Sequence, residues 1–441
     1  MNRADDPLLL ACHEAIRSLG GNRAAVEAFV PGRIELFGKH TDYAGGSSIV
    51  AATDRGFRMV ASPRNDTTIR MIPADDLSSM TWFTPGESPD LPAGHWLNYP
   101  ATTSRRIALN FGEDVTLHGA DISFLSDLPQ ADGMSSSSAF MVATFLVLAH
   151  LHRLEETPAY RENITTCEEL AEYLGCVENG ASFGTLAGET GVGTFGGSED
   201  HTAMLCSEAD AVSVFGYSPI RLIERIDWDD SLILVIATSG VTAEKTGEAL
   251  GAYNRASLRA ARTVEVFCSQ TGEAFTTLRE CAEHTQRIGL EPALAMLRSA
   301  EEGSEGLKDM RLSRRFEQFY HEEMEYIPGA VEAFRSGDWE RLGAFSDASH
   351  QGAAEGLENQ IPQTDALQQL AREHGALASS AFGAGFGGSV WALVQSVMEE
   401  TFERAWSEAY RQIFPVEAAG SRTMSMHPAG RAWARPYDSL K

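Results

Sequence analysis

The stretch Leu128-Pro-Gln-Ala-Asp-Gly-Met-Ser-Ser-Ser-Ser-Ala-Phe140 constrains the chain more than any other. A turn-forming segment ends in four serines, and an apolar helix, expected over Ala139–Leu154, begins at once. Free backbone N–H groups and hydroxyls therefore gather at the positive end of a helix, which suits an anion. A run of serine N-caps on a core helix would use the same residues, and the sequence leaves both readings open.

Two further glycine-rich segments flank this one. Pro31-Gly-Arg-Ile-Glu-Leu-Phe-Gly-Lys-His-Thr-Asp-Tyr-Ala-Gly-Gly46 mimics a phosphate-binding P-loop, but five residues separate Gly32 from Gly38. His40 also stands where a serine or threonine should bind magnesium. Gly383-Ala-Gly-Phe-Gly-Gly388 satisfies a dinucleotide fingerprint by letter but leads into Ser389–Val394, an expected strand, where the fingerprint needs a helix.

The 441 residues suggest two domains, and no internal repeat or low-complexity tract appears. Strands are expected at Ile49–Asp54, Phe57–Ala61, Thr67–Ile72 and Asp121–Leu125, with a helix at Leu97–Phe111. Further along come a strand at Leu232–Thr238 and helices at Thr242–Ser269, Ala274–His284, Glu291–Glu301 and Ser313–Ser336. A strand at Ser389–Gln395, a helix at Val397–Phe414 and a closing strand at Thr423–Ala429 complete an α+β, two-lobed pattern. Against 35 Lys+Arg stand 62 Asp+Glu, a net charge of −27 that repels nucleic acid and anionic lipid. Six scattered cysteines without a CxxC pair predict a reduced, cytoplasmic protein and argue against zinc. No signal peptide and no run long enough to span a membrane are read, so a soluble chain is expected.

Taken together and in order, the three segments resemble the signature motifs of the GHMP kinase superfamily, which contains galactokinase, homoserine, mevalonate and phosphomevalonate kinases. Gly32-Arg33, Gly38 and His40-Thr-Asp-Tyr43 are similar to the galactokinase signature. Trp96-Leu-Asn-Tyr99, Tyr253-Asn-Arg255 and His427-Pro-Ala-Gly430 resemble further galactokinase fragments. The resemblance implies a ribosomal-protein-S5-like N-terminal lobe over 1–225 and a ferredoxin-like C-terminal lobe with added helices over 226–441. It implies an ATP-dependent kinase acting on the anomeric hydroxyl of galactose or a related sugar, with Mg2+, as a monomer or homodimer.

Residue by residue, the resemblance makes Asp200 and Arg33 catalytic: the carboxylate orients or accepts the sugar hydroxyl proton, and the guanidinium holds it ionised. A plain surface charge is the alternative for Arg33. Gly133, Ser135, Ser136, Ser137, Gly385 and Gly387 would line the ATP site. Ser137 and Glu189 would hold magnesium, with Glu178 and Glu199 competing for Glu189's place. Lys39, His40, Asp42 and Tyr253 would contact the sugar, although His40 and Asp42 could equally form a metal half-site or a local cap.

The chain departs from the galactokinase pattern at four points. Lys39 replaces a glutamate, Glu35 an asparagine, His201 a glutamine, and Asp132 a small residue. Lysine only donates and carries charge, so the pocket could favour a sugar acid; alternatively, Lys39 and Glu35 form a local pair and leave specificity alone. A non-catalytic sugar and ATP sensor on this fold, or a kinase for a non-sugar alcohol, are the competing functions. The retained Asp200, Glu189 and Arg33 oppose the first, and the His40–Tyr43 block the second.

Overall fold

A computed structural model describes residues 6–20, 24–87, 89, 91–92, 94–129, 133–241 and 247–437. Asp132 and the first residues of the expected helix Thr242–Ser269 lie outside them.

Strands β1 (Val26–Phe37), β2 (Ser47–Pro63), β3 (Ile69–Pro73), β4 (Thr81–Phe83), β5 (Ala120–Ser126), β6 (Ala211–Gly216) and β7 (Arg221–Asp227) belong to the first sheet. Strands β8 (Leu232–Thr238), β9 (Ala378–Phe382), β10 (Ser389–Gln395) and β11 (Thr423–Met426) form a second, antiparallel sheet in the order β11-β8-β10-β9. The last two strands, β12 (Pro428–Ala429) and β13 (Trp433–Pro436), return to the first sheet, where β12 pairs with β2 and β13 covers the edge of β1. The α+β, two-lobed expectation is met. A boundary at 225, however, cuts through β7, and the chain's last strands belong to the first lobe.

The expected strands at 49–54 and 57–61 are one long β2, and the segment Pro31–Phe37, where no strand is expected, is the second half of β1. Nearly all of β1 is buried on both faces, so it lacks the alternation by which a half-exposed strand is recognised. Its pairing with β2 shifts register between Pro31 and Arg33 and again between Glu35 and Phe37. Bulges re-aim side chains, and these two bracket Arg33 and Glu35.

Helices of the first lobe are α1 (Pro7–Ser18), α2 (Asn98–Phe111), α3 (Ser136–His152), α4 (Pro158–Asn163), α5 (Cys167–Asn179) and α6 (Glu199–Cys206). Helix α3 is apolar around most of its circumference and is buried accordingly between the sheet and α2. The second lobe adds α7 (Gly247–Thr271), α8 (Leu278–Ile288), α9 (Leu290–Gly303), α10 (Leu312–His321), α11 (Ile327–Ser336), α12 (Trp339–Gly352), α13 (Pro362–Glu373) and α14 (Glu399–Ile413). Phe267, Leu297, Phe316 and Phe319 knit α7 to α10, while Leu367, Val390, Phe402 and Trp406 pack α13 and α14 on the second sheet.

The single helix expected at 313–336 is interrupted by a π-helical turn, Glu322–Tyr326, between α10 and α11. That turn directs Glu322 and Glu323 into the interior. Glu322 accepts from the Gly38 backbone N–H at 2.7 Å, and Glu323 from the Ser47 N–H at 2.6 Å. The second lobe thereby clamps the turn between β1 and β2, which carries the first motif. No helix among the described residues is long and apolar enough to cross a membrane.

Candidate active site

The cleft between the lobes encloses about 790 Å³. Its outer end is aromatic, with Phe57, Trp96, Tyr99, Phe124 and Phe140; its inner end holds Arg33, Glu35, Asp42, Glu178, Glu199 and Asp200. Gly133, Ser135, Ser136 and Ser137 lie along the wall, as do Gly383 and Ala384.

The serines do not cap α3. Ser135, at the N-cap position, has a left-handed φ of 56° and makes no side-chain capping bond. The hydroxyls of Ser135, Ser136 and Ser137 thus face the cleft beside free helical N–H groups, which favours the anion-site reading over the capping one. The fourth serine turns to the carboxylates instead. Ser138 Oγ donates to Glu178 Oε2 at 2.8 Å and reaches Asp200 Oδ2 at 3.2 Å.

Arg33 is 4% exposed, which excludes a plain surface charge. Its Nε donates to Asp200 Oδ1 at 2.8 Å, and its Nη1 donates to the Gly133 carbonyl. Burial alone would depress this guanidinium; Asp200, then Glu199 and Glu35, more than reverse that and raise it. Arg33 therefore ties the catalytic-carboxylate candidate on α6 to the serine loop.

The other parts of the first motif fall as follows. His40 has a left-handed φ of 58°, and its Nδ1 lies 2.8 Å from the Tyr43 hydroxyl. Its ring packs 5.4 Å from that of Tyr253 on α7. Asp42 Oδ2 accepts from the first N–H of α6, that of Glu199, at 3.2 Å. Both approaches need glycine. A Cβ on Gly197 would stand 2.4 Å from Asp42 Oδ2, and one on Gly196 would stand 2.7 Å from the Tyr253 hydroxyl. Burial raises Asp42 and pushes Tyr253 well up, so the phenol stays protonated and available to donate. His40, Asp42 and Tyr253 are brought together at the inner end.

Three expectations are corrected. Lys39 does not face the cleft: it is 1% exposed, and its Nζ donates to Ser349 Oγ at 2.9 Å, which in turn donates to Glu322 Oε1 at 3.0 Å. A buried ammonium must be compensated, and here the second lobe does it. Glu189 forms an ion pair with Arg105 (2.9 Å) and lies outside the cleft lining; the nearby carboxylate that lines it is Glu178, with His201 Nε2 3.3 Å away. Gly385 and Gly387 do not line the cleft either. Gly385 instead gives the loop its left-handed turn against Asn359, whose carbonyl would sit 2.4 Å from an added Cβ.

Sequence reasoning missed a carboxyl pair. Glu35 and Glu199, 3% and 5% exposed, lie beside one another at the inner end, with Arg33 Nε 3.6 Å from Glu199 Oε1. Burial, then the charge of Glu35, pushes Glu199 well above the ordinary carboxylate range; burial raises Glu35 too, against Lys39 and Arg33. The pair retains a proton above the pH at which exposed carboxyls lose theirs. With folded pKa raised, the native state binds more protons than the unfolded one above pH 4.5, so stability falls as pH rises from there. Glu199→Gln removes that loss. Its thermal midpoint is expected to exceed wild type by about 2 °C or more at pH 8, narrowing towards pH 5. Thermal melts across that range check it; a pH-independent difference contradicts it.

Among proteins of known family, residues 17–63 match the galactokinase galactose-binding signature, 98–185 the GHMP kinase N-terminal domain and 330–412 the GHMP kinase C-terminal domain. Galactokinase from Chloroflexus aurantiacus is 25% identical over 410 residues, covering 87% of each chain. Galactokinase from Roseiflexus sp. is 27% identical over 385 residues, covering 86% of each. The crystal structure of Lactococcus lactis galactokinase complexed with galactose superposes with a TM-score of 0.77 at 21% identity, over 96% of this chain and 99% of that one.

Proposed function

We propose, from the premise that the chain belongs to the GHMP kinase superfamily and is galactokinase-like, that it transfers the γ-phosphoryl group of ATP to the anomeric hydroxyl of galactose. The observation that carries this reading is the pair of buried Arg33 and partly exposed Asp200 on the same cleft as the serine loop, to which Arg33 is bonded. The sugar occupies the inner end, where Asp42, His40 and the Tyr253 hydroxyl offer acceptors and donors for its hydroxyls. Asp200, held by Arg33 and Ser138, takes the proton of the anomeric hydroxyl as its oxygen bonds to phosphorus and ADP leaves. The serine loop and the α3 N-terminus cradle the phosphates.

Ser137 and Glu178 are hard oxygen donors on the same cleft, and Ser138 fixes the carboxylate's orientation, so the set suits magnesium. When bound, magnesium supplies charge neutralisation of the β- and γ-phosphates. Adenine takes the aromatic end, where the Trp96 ring lies 5.5 Å from Phe124 and 5.9 Å from Phe140. Trp96→Ala is expected to raise the KM for ATP about 10-fold, roughly 1.4 kcal/mol of lost stacking and burial, with kcat held within about twofold. Steady-state kinetics with ATP varied test this, and an unchanged KM argues against that end as the adenine site.

A neutral sugar is favoured over a sugar acid. With the Lys39 ammonium directed at Ser349, Arg33 is the one Lys or Arg among the described residues lining the cleft, facing five inner carboxyls. ADP release measured with galactose, galacturonate, mevalonate and homoserine is expected to rank galactose first, with galacturonate at least 100-fold slower in kcat/KM, about 2.7 kcal/mol of unfavourable electrostatics. Inert galactose would sink the assignment, and faster turnover of galacturonate would restore the acid.

A further inference from the structure

The helices that carry Glu178 and Asp200 are joined at a second place, remote from the cleft. Cys167 opens α5 and Cys206 closes α6. Their two sulfurs and a Glu168 carboxylate oxygen all lie within 4.8 Å of one another. Both cysteines are half-buried, so a small oxidant can reach them, and neither lines the cleft.

We propose that Cys167 and Cys206 form a redox-active dithiol, which a hydroperoxide converts to an intramolecular disulfide bracketing the segment that holds both carboxylates. The two thiols come from different helices and meet beside the Glu168 carboxylate, to which Cys167 Sγ donates at 3.3 Å. Cys167 is the first residue of α5, where the positive end of the helix favours a thiolate. The neighbouring Cys206 thiol lowers Cys167, opposed by burial and Glu168, and Cys167 in turn raises Cys206. Burial pushes Cys12, Cys176 and Cys281 up instead. Cys167 is thus the attacking sulfur and Cys206 the resolving one.

The chemistry closes in two steps. The Cys167 thiolate attacks a peroxide oxygen and breaks the O–O bond; it becomes a sulfenic acid, and hydroxide leaves and is protonated to water. The Cys206 sulfur then attacks the sulfenic sulfur, and its proton departs with the hydroxyl as a second water. Two thiols lose two electrons and two protons, and hydrogen peroxide accepts both.

The test treats the whole folded protein with about one equivalent of hydrogen peroxide, alkylates it, and digests it with a glutamate-specific protease. Trypsin is unsuitable, because no Lys or Arg lies between Arg161 and Arg221. Cleavage after Glu168, Glu172, Glu178, Glu199 and Glu208 separates Cys167, Cys176 and Cys206. The expected product is one cross-link joining the Cys167 and Cys206 peptides, with a mass loss of about 2 Da that dithiothreitol reverses. Cys206→Ser is expected to leave a Cys167 sulfenic acid that dimedone traps, and Cys167→Ser to lose the reaction. Sulfinic acid at wild-type Cys167 without a cross-link would overturn the proposal. So would a cross-link to another cysteine, or a zinc ion that co-purifies with the chain and shields both thiols. The wild-type peptide map decides the matter even if a variant does not fold.

Discussion

Asp200→Asn is expected to lower kcat for galactose phosphorylation by about 10³-fold, roughly 4 kcal/mol of transition-state stabilisation, while galactose binding stays within a few-fold of wild type. The asparagine keeps an oxygen where Asp200 Oδ1 accepts from Arg33 Nε at 2.8 Å, so the cleft should hold its shape. What it loses is the negative charge and the ability to take a proton. Arg33 then keeps Glu199, 3.6 Å away, and Glu35 and Asp42 as acidic neighbours, all of which retain protons more readily than exposed carboxyls. Turnover is read by coupled ADP release and binding by calorimetry. A drop below tenfold would remove Asp200 as the base. A matching loss of binding would recast it as a sugar-holding residue, since an interaction made only in the transition state lowers kcat without raising the dissociation constant.

The parts of the site that could be read directly from the chain are those whose chemistry is concentrated locally. Four serines before an apolar run, a glycine-rich motif with His40 and Asp42, and Asp200 in a glycine-rich stretch each announce themselves within a dozen residues. Strand β1 was hidden because burial on both faces removes alternation and because Pro31 and Gly32 are residues that strand interiors rarely carry. Lys39 was misjudged for a different reason: the partner that decides its direction, Ser349, stands 310 positions away on α12, and no local pattern encodes that contact. The carboxyl pair is likewise a product of two bulged β1 positions meeting the start of α6. The wide excess of acids, −27 overall, disguised these few functional carboxyls among many solvated ones.

Glu178 differs, because a signal for it was present. It shares a helical face with Ala171 and Leu174, at offsets of seven and four positions, and all three are buried. A glutamate on the apolar face of an amphipathic helix has to be compensated or functional. Distance along the chain obscured it, because Glu178 precedes Asp200 by twenty-two residues. The segment 180–198 between them has no helix of its own.

Paired substitutions separate the two glutamates. Glu178→Gln preserves size and an oxygen for the Ser138 hydroxyl, yet removes the charge a divalent cation needs. It is expected to lower kcat by about 10²-fold at moderate magnesium, roughly 2.7 kcal/mol, and to shift the magnesium concentration giving half-maximal rate upward by about tenfold or more. Glu189→Gln loses an ion pair with Arg105 whose partners are 25% and 17% exposed. Such a pair contributes little, so both kcat and the magnesium dependence should stay within about threefold. Magnesium titrations of the two variants beside wild type make the comparison. If Glu189→Gln takes the larger loss, the loop must close over the cleft during turnover and carry its carboxylate inward. If both variants are mild, Ser137 and the triphosphate hold the cation without a carboxylate, and the role of Glu178 reduces to fixing Ser138 and, through it, Asp200.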